Sequence, residues 1–400
     1  MKGKSEIMIR SEIDRGILTV YPEGRIDSTN SAQFENEMEN ASSCFTGEIF
    51  VIDAEKLEYI SSAGLRVLLK IRKKFPSLKI VNASGEIYDI LDMTGFTEMI
   101  KVEKAYRKMS VEGCEVIGQG ANGKVYRIDP DTIIKVYLNP DSLDDIKRER
   151  ELARRALILG IPTAISYDVV RVGEGYGSVF ELLNAKSLTK LISSDPENID
   201  KYITMYVDLL KKIHSTQVRE EDMPDMKAEV VKWVAFLKNY IDSAKWQKLM
   251  KMTEEIPDDM HMIHGDYHTK NVMVQNGEVL LIDMDTLAHG DPVFEFAQMF
   301  NAYIGFPSVE NRDTTSFLGF DGSVAKKIWD GARVLYFGTN DEEKLAEIEN
   351  KAAIIGYTRL MRREIRHNGT ESDESKKKIS FCKEQIESRL EKTDSLVFNK

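Results

Sequence analysis

Cysteine is scarce in this 400-residue chain: Cys44, Cys114 and Cys382 are widely spaced and odd in number. That excludes a disulfide framework and argues against a structural zinc site. No apolar run approaches the length needed to span a bilayer, and the opening MKGKSEIMIRSEIDRG carries charges throughout, unlike a signal peptide. A cytoplasmic protein with no membrane partner is therefore expected. There is no Lys/Arg tract, and 66 acids against 55 Lys and Arg leave a net charge of −11, so no nucleic-acid partner is expected either. Internal repeats and low-complexity blocks are also missing. What remains is 42% hydrophobic and 30% charged, an ordinary globular balance, at a length that suits two or three domains.

The first part alternates short strand and helix patterns. Ile7–Ile13 and Ile17–Tyr21 read as strands around an Asp14-Arg15-Gly16 turn, and Asp27 to Asn30 supply cap residues for a helix through Phe34 and Met38. Glu48–Asp53 and Lys79–Asn82 read as further strands, with helices from Leu65 to Ile71 and Glu86 to Met93. Such alternation implies helices covering a sheet. The pattern then changes to a β-rich stretch with one helix (Leu143–Leu159), and helical patterns dominate from Asp200 onward. The strongly charged end, 371–400, reads as a loop followed by a surface helix.

Gly118, Gly120 and Gly123 spell G-x-G-x-x-G between two β-type segments. A dinucleotide-binding turn requires a helix after the glycines, and here Lys124 to Ile128 is β-type. A P-loop requires Ser or Thr after the lysine, and Val125 stands there. Strand–loop–strand followed by a lysine in the next strand is the kinase arrangement, in which a glycine hairpin lies close over a triphosphate. Lys135, in the apolar strand Ile133–Tyr137, is the candidate for the α- and β-phosphates, and Glu149 on the following helix is the candidate for fixing it, with Glu151 second.

Two apolar strands flank the polar stretch His264-Gly265-Asp266-Tyr267-His268-Thr269-Lys270-Asn271, and Leu281-Ile282-Asp283-Met284-Asp285 follows after a Gln275-Asn276-Gly277 turn. This clusters two carboxylates and an amide carbonyl. Asp266 can orient an acceptor hydroxyl and take its proton, while Asn271 and Asp283 offer hard oxygens to Mg2+. His261, His264 and His268 would instead suggest a transition metal, but no further Cys or His cluster completes a ligand set.

On these residues the stretch 112–365 resembles the aminoglycoside phosphotransferase/choline kinase-like family. His264-Gly265-Asp266 with Asn271, Leu281-Ile282-Asp283, and Gly290-Asp291-Pro292 through Ala297 carry the resemblance. It implies a bilobal α+β kinase-like fold over 107–370, with a β-rich small lobe (110–183) and a helical large lobe (184–370). It also implies ATP and Mg2+ as cofactors, Asp266 as catalytic base, Asn271 and Asp283 as metal ligands, and Lys135 with Glu149 securing ATP under the loop of Gly118, Gly120 and Gly123. Phe180 to Leu183 would be the interlobe hinge, with Glu181 and Leu183 presenting backbone groups to adenine, and His214 would be structural. Tyr267, Thr269-Lys270 and Glu295 depart from the usual Leu, Pro-Gly and Asp, yet none removes a ligand. Gly265 in place of Arg, no Ala-Pro-Glu motif and a short segment after Asp283 favour a small-molecule hydroxyl acceptor over a protein. Acids on the helices between 200 and 255 and after 325 are read as solvated, so no antibiotic acceptor is inferred.

Residues 1–106 resemble the α/β STAS domain of anti-sigma factor antagonists, through Gly24 to Ser28, Val51 to Asp53 and Tyr59-Ile60-Ser61-Ser62-Ala63-Gly64-Leu65-Arg66. That family phosphorylates a Ser or Thr at this helix N-terminus, where added negative charge is stabilised and alters partner docking. Ala63 occupies the usual acceptor position, making Ser62 the nearest candidate phosphosite; Ser61 and Ser62 acting only as caps is the alternative. The resemblance implies a protein partner for this part. The combined expectation is an ATP- and Mg-dependent phosphotransferase with a regulatory or partner-binding STAS domain. The alternative is a nucleotide-gated signalling module, or a protein kinase, in an anti-sigma-factor-type partner switch.

Overall fold

The computed structural model describes residues 7–43, 45–120 and 122–398, leaving Cys44 and Ala121 outside the described residues. Two compact units result, one ending at Ser110 and the next beginning at Val111. No helix among the described residues is long and apolar enough to cross a membrane.

In the front unit, strands β1 (Met8–Asp14), β2 (Ile17–Ile26), β3 (Ile49–Asp53), β4 (Leu57–Ile60), β5 (Lys79–Ala83) and β6 (Lys101–Lys104) alternate with helices α1 (Ser31–Ser42), α2 (Ser62–Lys74), α3 (Gly85–Met93) and the short α4 (Phe96–Met99). The sheet runs β1-β2-β3-β5-β6, with β4 on β2; only β1 and β2 are antiparallel. Parallel neighbours need crossovers, which is why helices separate the strands. Leu18, Val20, Phe50, Ile52 and Ile80 from the sheet meet Phe34, Met38, Leu65, Leu68, Ile87 and Leu91 from the helices in one core. Strands β4 and β6 were not foreseen: Leu-Glu-Tyr-Ile is too short, and Lys-Val-Glu-Lys too polar, to show a strand pattern.

The second unit opens with β7 (Glu115–Gln119), β8 (Gly123–Asp129) and β9 (Thr132–Tyr137), then α5 (Leu143–Ile158), β10 (Asp168–Val172) and β11 (Gly175–Glu181). These strands form one antiparallel sheet, order β10-β11-β9-β8-β7. After β12 (Lys186–Ser187) come α6 (Leu188–Ser194), α7 (Ile199–His214), α8 (Met226–Phe236) and α9 (Ser243–Glu254). Four short strands follow: β13 (Met262–Ile263), β14 (Val272–Gln275), β15 (Glu278–Leu281) and β16 (Ala288–His289). The chain then runs through α10 (Pro292–Phe300), a π-turn (Asn301–Gly305), α11 (Phe306–Glu310), α12 (Thr315–Leu318), α13 (Gly322–Phe337), α14 (Glu342–Asn368) and α15 (Asp373–Leu390). This helical part shares one hydrophobic core in which Trp329, Phe294, Phe296, Phe300 and Tyr206 are fully buried.

The charged end forms α15, but this is no free surface helix: Cys382, Ile386 and Leu390 on one of its faces, and Leu396 beyond it, are fully buried in the same core. Lys351 of α14 anchors the chain after α15 by donating to the Val397 carbonyl at 2.7 Å. Acids and lysines on the opposite face dominate the composition and mask an amphipathic helix.

Candidate active site

The β7–β8 hairpin turns on the glycines. Gly120 N–H donates to the Gly123 carbonyl at 2.9 Å. A Cβ on Gly123 would stand 2.5 Å from the Val136 carbonyl oxygen of β9, so only glycine lets β8 and β9 pack this closely there. Asn122 at the tip reaches across to the large lobe, its Nδ2 donating to Asp285 Oδ2 at 3.2 Å.

Lys135 sits in the middle of β9, paired with Val125 of β8 and Ser178 of β11. Its side chain is 17% exposed, and Nζ lies 3.0 and 3.3 Å from the Glu149 carboxylate and 2.8 Å from Asp283 Oδ1. Burial would drive the ammonium toward neutrality, but Asp283 and Glu149 outweigh it and hold the lysine pKa well above its ordinary value. Glu149 is itself braced by the Tyr137 hydroxyl at 2.7 Å. Glu151 turns elsewhere, onto Arg154 and Arg155 at 2.9 Å each.

At the end of β11, Tyr167 N–H donates to the Val179 carbonyl and Leu182 N–H to the Asp131 carbonyl, at 3.0 and 2.7 Å. Alternation along the strand then turns the backbone groups of Glu181, its last residue, to the same edge as Val179, and Leu183 follows just beyond the strand. β10 has already begun at Asp168 opposite Val179, so that edge extends past it.

Asp266 lies in the loop between β13 and β14. Gly265 before it has φ +79°, and a Cβ there would stand 2.5 Å from the Thr286 carbonyl, so this position needs glycine on both counts. Glu295 of α10, fully buried, accepts from the backbone N–H groups of His264 and of Gly265, at 2.5 and 3.0 Å. The loop is thus tied down by one carboxylate at the N-terminal end of α10. Tyr267 locks it from behind: its hydroxyl donates to the Tyr206 carbonyl at 2.6 Å, the Tyr206 hydroxyl returns a bond to the Tyr267 carbonyl at 2.9 Å, and the rings stack at 4.5 Å. Tyr303, in the π-turn, adds a third strut by accepting from Thr269 N–H at 3.1 Å.

The Asp266 carboxylate is 40% exposed and stands 3.5 Å from His268 Nε2. The protein packed around it would push its pKa up, but the hydrogen bond and charge of His268, with Arg359 and His264 beyond, hold it well below the carboxylate range. Asn271 donates Nδ2 to the Asp266 carbonyl at 3.0 Å, which leaves its side-chain oxygen as the available ligand atom. Its own carbonyl accepts from Ile282 N–H at 3.0 Å, placing Asp283 in the next position of the neighbouring strand end. Asp283 adopts φ +64°, a left-handed conformation that aspartate tolerates better than most residues. Burial and the adjacent Asp283 charge push Asp285 up to about 6.

The three loop histidines do not converge. His261 contacts Asp259 at 2.5 Å, His264 lies 3.3 Å from the Ile282 carbonyl, and His268 faces Asp266. No group of three or more His, Cys, Asp or Glu side chains able to hold a metal ion occurs among the described residues. Two protein oxygens suit magnesium, which keeps waters and substrate phosphates as its other ligands. His214 meets the Tyr336 hydroxyl at 2.7 Å and lies 3.7 Å from Glu295, a supporting position behind the loop. Tyr206 and Arg359 escaped sequence reasoning because each reads as one more residue of a helical pattern.

Residues 113–324 match the phosphotransferase enzyme family. The chain belongs to it. Residues 8–109 match the STAS domain. BtrV of Bordetella bronchiseptica, named a putative anti-sigma factor antagonist, is 30% identical to this chain over 92 residues, 22% of the chain and 78% of BtrV. Among solved structures, a thermostable mutant of aminoglycoside phosphotransferase APH(4)-Ia aligns with TM-score 0.48 at 13% identity, covering 70% of this chain and 94% of that one. ADP-bound APH(2'')-Ib aligns with TM-score 0.47 at 14% identity, covering 76% and 99%.

In the STAS unit, Ser61 caps α2, its side chain accepting from Gly64 N–H at 3.5 Å, and Ser62 is the exposed first residue of that helix. A Cβ on Gly64 would stand 2.6 Å from Ile26 Cγ2, so the turn packs directly on the core.

Proposed function

We propose that the chain transfers the γ-phosphoryl group of ATP, with magnesium, to a hydroxyl of a small molecule. The observation that carries this reading is the meeting of Lys135, Glu149 and Asp283 across the cleft, next to a loop that presents Asp266 and Asn271. Lys135, kept charged by its two acids, would bind the α- and β-phosphates. The hairpin of Gly118, Gly120 and Gly123 would cover the triphosphate, and the backbone at Glu181 and Leu183 would meet adenine. Asn271 Oδ1 and Asp283 would hold magnesium, which supplies neutralisation of phosphate charge when bound. Asp266, ionised at neutral pH, orients the acceptor hydroxyl and takes its proton. The hydroxyl oxygen bonds to γ-phosphorus as the bond to the β–γ bridging oxygen breaks and ADP leaves. Little basicity is demanded of Asp266 where the transition state is largely dissociative.

The test is ADP release from Mg-ATP across a panel of hydroxylated compounds, comparing parent and Asp266→Asn. Acceptor-dependent release by the parent, lost in the variant with nucleotide binding retained, supports the reading; equal rates contradict it.

For the front unit we propose partner docking, on the strength of its likeness to a protein named an anti-sigma factor antagonist, with Ser62 as the phosphosite. Ser62 exposure at the start of α2 favours it. Intact-mass measurement after incubation with Mg-ATP, alone and with Ser62→Ala, also tests the alternative that the second unit is a protein kinase for this serine. A single added phosphate that disappears in Ser62→Ala supports that alternative, and an unchanged parent mass counts against it.

A further inference from the structure

Resting on the phosphotransfer reading, we infer that the acceptor is a small hydroxyl compound bearing a phosphate or carboxylate, held by a stripe of arginines on α14 whose inner end, Arg359, is tied through Gln298 to α10, the helix that anchors the Asp266 loop through Glu295. Arg359, Arg362, Arg363 and Arg366 stand at i, i+3, i+4 and i+7 and so share one helix face. Arg359 begins the stripe. It is half-buried, donates to Gln298 Oε1, stacks over Trp233 at 5.7 Å, and exchanges charge interactions with Asp266, Asp285 and Glu295. Arg362 lies over Trp233 and Phe236 at 6.0 Å each, and Arg363 over Phe306 at 5.2 Å. The stripe thus lies between α8 and α11 with aromatic walls, and exposure increases outward from Arg359 to Arg363 and Arg366.

None of the four makes an ion pair of 4 Å or less among the described residues. Arg333 by contrast pairs with Asp330 and Glu349, and Arg155 with Glu151 and Asp222. The carboxylate acting on Arg362 is Glu229 of α8, which is already engaged by Trp233 Nε1 at 2.8 Å and Lys232 at 3.4 Å. On the loop itself Lys270, four residues after Asp266, is exposed and stacks over Phe317 at 5.0 Å, also without an acidic partner. In a chain of net charge −11, acids are not in short supply. For the partly buried Arg359 and Arg362, going without a carboxylate partner is unfavourable unless an anion is to be bound there.

Guanidinium groups match phosphate and carboxylate oxygens in bidentate fashion and stack on aromatic walls while doing so. Seven residues at about 1.5 Å rise make the stripe about 10 Å long, the size of a small anionic metabolite rather than a protein surface. A polycation would be repelled from the same face.

The experiment measures ADP release from Mg-ATP with matched acceptors: glycerol, D-glycerate and glycerol 3-phosphate; ribose and ribose 5-phosphate; and choline and kanamycin as cations. An anionic member should be preferred over its neutral partner by about tenfold or more in kcat/KM, the scale of one charge-assisted hydrogen bond. The comparison of glycerate with glycerol 3-phosphate separates carboxylate from phosphate. Arg359→Gln should raise KM for the anionic acceptor by about tenfold while AMP-PNP affinity holds, with partial recovery in Arg359→Lys and a smaller rise in exposed Arg363→Gln. Preference for choline or kanamycin, or an unmoved KM in both Gln variants, overturns the inference. If none of these compounds turns over, calorimetry with inorganic pyrophosphate on protein saturated with Mg-AMP-PNP decides: binding lost in Arg359→Gln or Arg363→Gln supports it, and no binding to the parent overturns it. The AMP-PNP step, performed first, reports separately on the underlying phosphotransfer reading.

Discussion

The two sides of the cleft treat positive charge in opposite ways. On the proposed nucleotide side Lys135 is matched by Glu149 and Asp283 within 3.0 Å, and the hairpin tip is latched by Asn122 onto Asp285. On the proposed acceptor side Arg359, Arg362 and Arg363 of α14 stack on aromatic rings and find no carboxylate at ion-pair distance among the described residues. A matched site is stable empty and must exchange partners to bind: phosphates compete with Asp283 for Lys135. An unmatched site gains a partner only from its ligand. Each side therefore makes a different demand on stability and on binding.

The largest expected effect separates chemistry from both. Asp266→Asn should lower acceptor-dependent ADP release by about 10²- to 10⁴-fold, the range for removing a general base, with AMP-PNP affinity nearly unchanged; a loss of affinity on the same scale would mean that Asp266 belongs to the nucleotide side. Next, Lys135→Met should destabilise the fold by about 3–5 kcal/mol in urea denaturation, because partly buried Glu149 would keep only the Tyr137 hydroxyl and would face Asp283 with no cation between them. Arg359→Met should cost less, about 1–3 kcal/mol, since it orphans only Gln298 Oε1. Equal costs for the two would break the comparison. Glu295→Gln should lower kcat and cost about 1–3 kcal/mol, because it weakens charge-assisted bonds to two backbone donors and leaves the lysine side untouched. The smallest effect is expected from Tyr267→Phe, about 0.5–1.5 kcal/mol. The Tyr206 carbonyl it abandons lies inside α7 and is not left without a donor.

Local chemistry explains what could be read in advance. Glycines before a β-type run and carboxylates flanking a short hairpin limit the possible structures, so most of the longer strands were legible, and the grouping of Lys135 with Glu149 follows once the glycine loop before the lysine is read as a kinase arrangement. Long-range compensation was not. Arg359, Arg362, Arg363 and Arg366 look like any solvated helix face in the sequence Tyr-Thr-Arg-Leu-Met-Arg-Arg-Glu-Ile-Arg, because whether acids elsewhere neutralise them depends on packing across α8 and α11. The same holds for Tyr206, whose hydroxyl matters only because Tyr267 lies 61 positions away in the chain and stacks on it. Glu295 in place of a shorter acid looked like a departure, yet its carboxylate reaches both N–H groups at 3.0 Å or less.

The proposal that one pocket gathers Lys135, Asn271 and Asp283 around a magnesium-bound triphosphate is tested most directly by calorimetric titration of AMP-PNP with and without Mg2+, in the parent and in Asp283→Asn. The parent should bind more tightly with magnesium, and the variant should lose that increment. Absence of nucleotide binding by the parent, or an affinity indifferent to magnesium in both proteins, would contradict the account.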